Sequence, residues 1–172
     1  MQSKIKAPTI ITAHNNADFD CLSSMVAAQM LYPEAFLIIP GSQEQSLRDF
    51  FIQSATYLLN FYTYKDIDPE SVQTVVICDT AQSNRVKHIS SLLQKENISI
   101  HIFDHHPNSE EDIPANYKLN RPWGATVSII HSLLKEKNIA PSPEQATLMG
   151  LGLYEDTGSF TFSSTTSTAV TS

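Results

Sequence analysis

Four apolar stretches of this chain run into residues able to bind a cation or move a proton. They read Thr12-Ala-His14-Asn-Asn-Ala-Asp18-Phe-Asp20, Val75-Val-Ile-Cys-Asp79, Ile100-His-Ile-Phe-Asp104-His105-His106 and Gly152-Leu-Tyr-Glu-Asp156-Thr-Gly158. Taken singly, each has a plain explanation. An acidic turn capping a helix looks like the first, and aspartate commonly ends a strand, as in the second. Asp156 beside glycines at a helix end is unremarkable, although unfavourable to the helix dipole. Two adjacent histidines after an apolar strand are harder to dismiss, because burying them is costly unless they are paired. Recurrence of such residues at the ends of successive apolar runs has no plain explanation. In an open parallel sheet the strand carboxyl ends share one edge, so residues distant in sequence converge in a single crevice. Carboxylates crowded there repel one another and shift each other's pKa unless a cation neutralises them. The set reads as a metal site.

The elements that must carry these residues follow from the hydrophobic pattern. Residues 9–13 are β-rich and short, a buried first strand. Asp20 is placed to cap a helix from Cys21 to about Tyr32, stopped by Pro33. Residues 35–39, 75–78 and 98–103 read as further strands, and a polar loop runs from the last of these through Pro114. Residues 46–62 show helical periodicity, with Leu47, Phe50, Phe51, Ala55, Leu58, Leu59 and Tyr62 on one stripe. Ser83 or Asn84 is expected to cap a helix bearing Val86, Ile89, Leu92 and Leu93. Residues 125 to about 137 form another, with Val127, Ile130 and Leu134 inward. Ser142-Pro143-Glu144-Gln145 has the form of a capping box with proline at the first helical position. It predicts a helix over 143–155, so the fourth stretch, apolar enough for a strand, ends a helix with Gly158 near its exit. Strands alternating with helices of this size indicate an α/β fold, a mostly parallel, doubly wound sheet with helices on both faces.

Bulk properties bound the function. The 172 residues, 41% hydrophobic, suit one core rather than two full domains. A formal charge of −7 argues against a generic nucleic-acid surface, which needs a basic stripe. Two divalent cations would offset four of those charges, so a phosphate-bearing substrate stays compatible with the composition. Cys21 and Cys78 are too few for a disulfide framework and read as small buried packing residues. The amino terminus lacks the apolar run of a signal peptide and no stretch is long enough to span a bilayer, which makes the expected location cytoplasmic. The Ser/Thr-rich residues 163–172 suggest either a frayed tail or the edge of one domain cut from a longer protein; the second reading is preferred.

The four blocks resemble the motifs of the DHH phosphoesterase superfamily, named for the sequence present here as Asp104-His105-His106. The first looks like its His-x-x-x-Asp-x-Asp motif, Val76-Ile-Cys-Asp79-Thr80 its second and Gly152-Leu-Tyr-Glu-Asp156-Thr-Gly158 its fourth. The wording around residues 16–25 is similar to a subgroup joined to CBS modules and a tRNA nucleotidyltransferase or poly(A) polymerase-like region. The resemblance implies that His14 and Asp18 hold one metal, that Asp20, His105 and Asp156 hold the other, and that Asp79 bridges both. It implies Asp104 orienting a histidine and His106 facing the substrate phosphate, these two being the catalytic pair beside the metals. Asn15, Asn16 and Arg121 are expected as phosphate contacts. Oxygen and imidazole ligands without thiolate suit Mn²⁺, with Mg²⁺ the lesser alternative. The implied activity is hydrolysis of a phosphodiester, a short oligonucleotide or a nucleotide, by a water activated between two metals. Pyrophosphate or polyphosphate hydrolysis is the rival, and a non-catalytic metal-bound module of a larger RNA-processing protein is a third reading. Family enzymes carry a second, substrate-gripping domain after this one, and no such segment lies within residues 1–172.

Overall fold

The computed structural model of the chain describes residues 4–53, 60–162 and 165. Six strands, β1 (Thr9–Ala13), β2 (Phe36–Ile38), β3 (Phe61–Tyr62), β4 (Thr74–Cys78), β5 (Ser99–Asp104) and β6 (Tyr117–Asn120), form one sheet in the order β3-β2-β1-β4-β5-β6. Every pairing is parallel. The helices are α1 (Phe19–Leu31), α2 (Gln45–Gln53), α3 (Ser90–Leu93), α4 (Thr126–Glu136) and α5 (Pro143–Asp156). The fold is therefore the expected α/β class with a doubly wound parallel sheet.

Side chains alternate across the strands, so each strand supplies both faces of the sheet. Ile11, Ala13, Val76, Cys78 and Phe103 pack under α1, α4 and α5. Ile10, Val75, Ile77, Ile100 and Ile102 face the other way, against Val86, Ile89 and Leu92. Strand order reverses direction between β1 and β4, from whose carboxyl ends the chain leads to opposite halves of the sheet. That switch point is where a doubly wound sheet opens a crevice, and it is where the first two motifs end.

Helix α1 starts two residues earlier than expected, because Asp18 rather than Asp20 caps it, accepting from the Cys21 N–H at 2.9 Å. The expected helix over 46–62 is helical over Gln45–Gln53, and residues 54–59 lie outside the described residues. Tyr62 lies in β3, paired with Ile38 and with its ring 5.4 Å from that of Phe36. Of its stripe, Leu47 is buried, whereas Ala55, Leu58 and Leu59 lie outside the described residues. Residues 83–93 form two 3-10 turns (Ser83–Arg85 and Lys87–Ile89) before the four-residue α3. Neither Ser83 nor Asn84 caps them, yet Val86, Ile89 and Leu92 are fully buried, so the apolar pattern held while the local hydrogen bonding tightened. Strand β6, after the expected polar loop, is an addition to the expected strands; its residues Tyr117-Lys-Leu-Asn lack a clear period and pair only on one side.

The fourth motif ends a helix. Its capping box forms, with the Ser142 hydroxyl accepting from Gln145 N and the Ser142 N–H donating to Gln145 Oε1. Gly152 is required by packing: a methyl there would stand 2.0 Å from Ser23 Oγ and 2.8 Å from the Phe19 carbonyl. Only glycine lets α5 cross α1 this closely. That crossing brings the end of α5 to the strand rim, where Glu155 accepts from the Phe19 N–H at 2.8 Å. No described helix is long and apolar enough to cross a membrane.

Candidate metal centre

Asp79 occupies the middle of the rim. The residue sits just past β4 at φ 62°, a left-handed conformation that aspartate tolerates better than most residues. Its N–H still bonds the Phe103 carbonyl at 2.9 Å, continuing the ladder to β5. The buried carboxylate stands 3.2 Å from His14 Nε2, 3.5 Å from His105 Nε2 and 3.8 Å from His106 Nδ1. Thr126, at the start of α4, donates its hydroxyl to Asp79 Oδ1 at 2.9 Å.

Two histidines approach this carboxylate in the same way. His14 spends its Nδ1–H on the Asn15 carbonyl at 2.8 Å, and His105 spends its own on the Trp123 carbonyl at 2.9 Å. Each ring is thereby locked with Nε2 turned toward acids: His14 toward Asp79 and Asp18 (3.8 Å), His105 toward Asp79 and Asp156 (3.2 Å). A ring nitrogen so placed must either carry a second proton or give its lone pair to a cation. Ligand-capable atoms gather into three overlapping groups within 4.8 Å: His14, Asp18, Cys21 and Asp79; Asp79, His105 and His106; Asp20, His105 and Asp156.

Without a cation the electrostatics are poised in opposition. Burial pushes the Asp20 carboxyl well up, and the charges of Asp79 and Asp156 add to the push. Burial likewise raises Asp156 to about 6, against His105, with Asp79 and Asp18 reinforcing it. For Asp79 burial is overcome by the His14 hydrogen bond and the neighbouring imidazoles, which hold it at about 2. His14 shows the reciprocal effect: burial opposes its proton, but Asp79 outweighs burial and raises it. Some carboxyls thus keep protons that others have lost, as crowded acids do when nothing else neutralises them.

Cys21 Sγ also reaches Asp79, at 3.5 Å, but as a donor; burial and the surrounding carboxylates push its thiol well up. The available ligands are therefore imidazole nitrogen and carboxylate oxygen, a set that fits Mn²⁺ or Mg²⁺ better than a thiolate-seeking ion.

Residues 8–153 match the family model of the DHH family, N-terminal domain. The chain belongs to the DHH family. This DHH domain is 41% identical over 157 residues to an A-adding tRNA nucleotidyltransferase of Geobacter sulfurreducens, covering 91% of the chain and 18% of that protein. It is 30% identical over 170 residues to a probable manganese-dependent inorganic pyrophosphatase of Clostridium acetobutylicum, covering 92% of the chain and 50% of the relative. Among solved structures it resembles an exopolyphosphatase-related protein from Bacteroides fragilis, with a TM-score of 0.73 and 18% identity over 94% of the chain and 50% of the other. The fold is thus shared, and the chain spans half or less of these relatives.

The DHH domain treats the remaining expected site residues unequally. Asp20 is drawn into structure as well as toward the centre. Its oxygens accept from the Thr126 and Val127 N–H groups at 2.7 and 3.0 Å, capping α4 from α1. Asp104 accepts from both His106 Nδ1–H (2.8 Å) and the His106 backbone N–H (3.2 Å), and this hydrogen bond raises the imidazole's affinity for its proton despite burial. Asn15 points its side chain at His88, 3.2 Å away, and Asn16 binds Ser42 and Glu44 of the segment after β2. Arg121 is exposed and stacks over Trp123, its guanidinium 5.7 Å from the ring centroid, so neither Asn16 nor Arg121 joins the cluster.

Three contributors escaped sequence reasoning. Thr126 carries no chemical signature of its own, since serine and threonine at a helix start ordinarily cap that helix. Glu155 was overshadowed by its neighbour Asp156, yet it caps α1. Arg85 lies in a 3-10 turn that read as an ordinary helix face. Its charge opposes protonation of both His14 and His106.

Proposed function

We propose that this domain is a metal-dependent phosphohydrolase acting on a phosphodiester of a short oligonucleotide or nucleotide. The observation that carries the proposal is the paired locking of His14 and His105, whose Nε2 atoms both face Asp79 while their Nδ1–H groups are spent on backbone carbonyls. Metal-binding imidazoles are held this way, with the distal nitrogen hydrogen-bonded and the proximal lone pair free. In this reading His14 and Asp18 hold one ion, Asp20, His105 and Asp156 the other, and Asp79 lies between them. Bound there, divalent cations supply Lewis acidity that activates water and neutralises phosphoryl charge; Mn²⁺ is the preferred ion.

The protein's own groups then have definite tasks. Thr126 holds Asp79 in the rotamer that faces both histidines. Asp104 anchors His106 through Nδ1–H, which leaves Nε2 on the open side to donate a proton to a phosphoryl or leaving-group oxygen. The buried rim around Asp79 excludes bulk water and so strengthens these hydrogen bonds.

Hydrolysis of a bis-aryl phosphodiester in Mn²⁺, lost on chelation, is the expected result. Cleavage of pyrophosphate alone would instead favour phosphoanhydride chemistry, the second reading, which the manganese-dependent pyrophosphatases among its relatives support. Bound Mn²⁺ with neither activity in the uncut parent protein would favour a non-catalytic module beside an RNA-processing region, a reading supported by the tRNA nucleotidyltransferase relative. Both latter readings treat the chain as one domain of a longer protein that supplies further substrate contacts. Two free buried cysteines accord with a reducing, cytoplasmic setting.

A further inference from the structure

Beside the metal centre, a cleft of roughly 350 Å³ opens between the turn after β4 and the loop after β5. Its floor is closed by the bridge between Gln82 and Asp112 and by the Ile113 N–H bonding the Ala81 carbonyl at 2.8 Å. Asp104 and His106 form the wall it shares with the metal centre.

The cleft contains two carboxylates, and both are already satisfied. Asp104 is held by His106, and Asp112 accepts from Lys118 Nζ at 2.7 Å and the Ser109 N–H at 3.1 Å. Three other polar groups already accept a hydrogen bond within the protein. Thr80 Oγ1 accepts from the Gln82 N–H, Ser109 Oγ from the Glu111 N–H, and Asn108 Oδ1 from Lys118 Nζ. Each therefore retains a hydroxyl or amide hydrogen to donate. The half-buried Arg85 also lines the cleft, and no carboxylate among the described residues pairs with it. A guanidinium that lines a cleft whose carboxylates are otherwise engaged is free to take an anion from outside.

We infer that this cleft is a binding subsite for a second phosphate, one that the substrate carries in addition to the group being cleaved, with Arg85 as its anchor and Thr80, Asn108 and Ser109 as donors. Arginine suits the task because its planar fork matches two phosphate oxygens at once. The volume reaches the lower end of the range for small-molecule sites and exceeds what inorganic phosphate fills. A nucleoside monophosphate unit is therefore the class of ligand it takes. The inference deepens the phosphodiesterase reading, since a nucleotide bound here abuts a scissile phosphate at the metals, and it places one phosphate grip within this domain rather than in any other.

The test is calorimetric titration of the 172-residue chain with adenosine 5′-monophosphate and with inorganic phosphate, each in chelator and again in Mn²⁺. Binding of the nucleotide in chelator, at least threefold tighter than phosphate, is expected. Arg85→Ala should weaken it tenfold or more, Arg85→Lys less, and Asn108→Asp, which replaces a donor by an acceptor, at least fivefold. Lys65→Ala, an exposed charge on a distant turn, should leave it unchanged, and Arg85→Ala should bind Mn²⁺ at least as tightly as the parent, since a positive charge near His14 is removed. Nucleotide binding indifferent to both Arg85 and Asn108 substitutions, or no binding in either condition, would overturn the subsite. Equal affinity for phosphate and nucleotide would overturn the ligand class. Arg85-dependent binding in a chain that fails to bind Mn²⁺ would instead refute the metal-centre reading and leave the subsite standing.

Discussion

His14 and His88 are separated by one residue in space and by opposite chemistry. Both touch Asn15: His14 donates to its carbonyl, and His88 Nδ1 stands 3.2 Å from its side-chain amide. His14 then faces carboxylates, which outweigh burial and raise its proton affinity. His88 faces the Thr12 hydroxyl at 2.7 Å, and burial pushes its pKa down to about 4. Because Thr12 donates its own proton to the Ile38 carbonyl, it accepts from His88 Nε2–H, while Nδ1 faces the Asn15 Oδ1 at 3.2 Å. One ring is thus built to stay neutral and brace the loop, the other to share a cation or a proton with acids. His101 follows the His88 pattern, with Tyr32 and Ser99 hydroxyls on its two nitrogens and a burial-lowered pKa. Histidine content alone says nothing about a metal site; the partners of each nitrogen do.

The contrast can be broken most severely at Asp79. Asp79→Ala should lower Mn²⁺ affinity at both positions by more than roughly 100-fold, since it removes the group common to them. Two unchanged Mn²⁺ sites by calorimetry would refute the bridging assignment. Thr126→Val keeps the shape but frees Asp79 Oδ1, and a loss of roughly 10-fold or more in Mn²⁺ affinity is expected, of the size seen when a residue behind a ligand is removed.

The bracing histidine has a different readout, stability against pH. A folded-state value near 4, below the ordinary 6.5, means the unfolded chain takes up this proton first as pH falls. Stability conferred by neutral His88 is complete above about pH 6.5 and declines toward pH 4. Relative to His88→Gln, the metal-free parent should therefore lose about 1–2 kcal/mol between pH 7 and pH 4.5 in denaturant melts. A pH-independent difference would mean His88 protonates freely in the fold.

Asp156 should show the smallest effect and the opposite slope. Its value of about 6, raised from 3.8, makes the protonated acid the form the metal-free fold prefers, so its contribution falls as pH rises from about 4 to 6. In chelator at pH 7, Asp156→Asn should melt roughly 2–4 °C higher, about 1 kcal/mol. With saturating Mn²⁺ that order should reverse, because the parent gains a ligand charge that the variant lacks. A variant less stable than the parent in both conditions would show that the carboxylate serves packing, not a cation.

Local chemistry alone was enough to read several parts of this molecule. The β-branched runs at 9–13 and 75–78 read as buried strands and are strands, and the Ser142–Gln145 capping box forms as its residue types require. The six residues read as ligands do converge: a parallel sheet brings its strand ends to one edge, and the crossing of α5 over α1 carries Asp156 to the same rim. Choices between near-equivalent neighbours were settled elsewhere. Asp18 and Asp20 are equally good caps by type, but the N–H groups of Thr126 and Val127 claim Asp20, more than a hundred residues away in sequence. Arg85 and Arg121 are equally cationic, yet Trp123 engages one and a cleft exposes the other. Tyr62 continues a helical stripe by pattern, yet pairing with Ile38 makes it a strand. The reason is the same in each case: backbone preferences between such alternatives differ by a kilocalorie or so, and hydrogen bonds between distant elements, available only once the chain has folded, outweigh them.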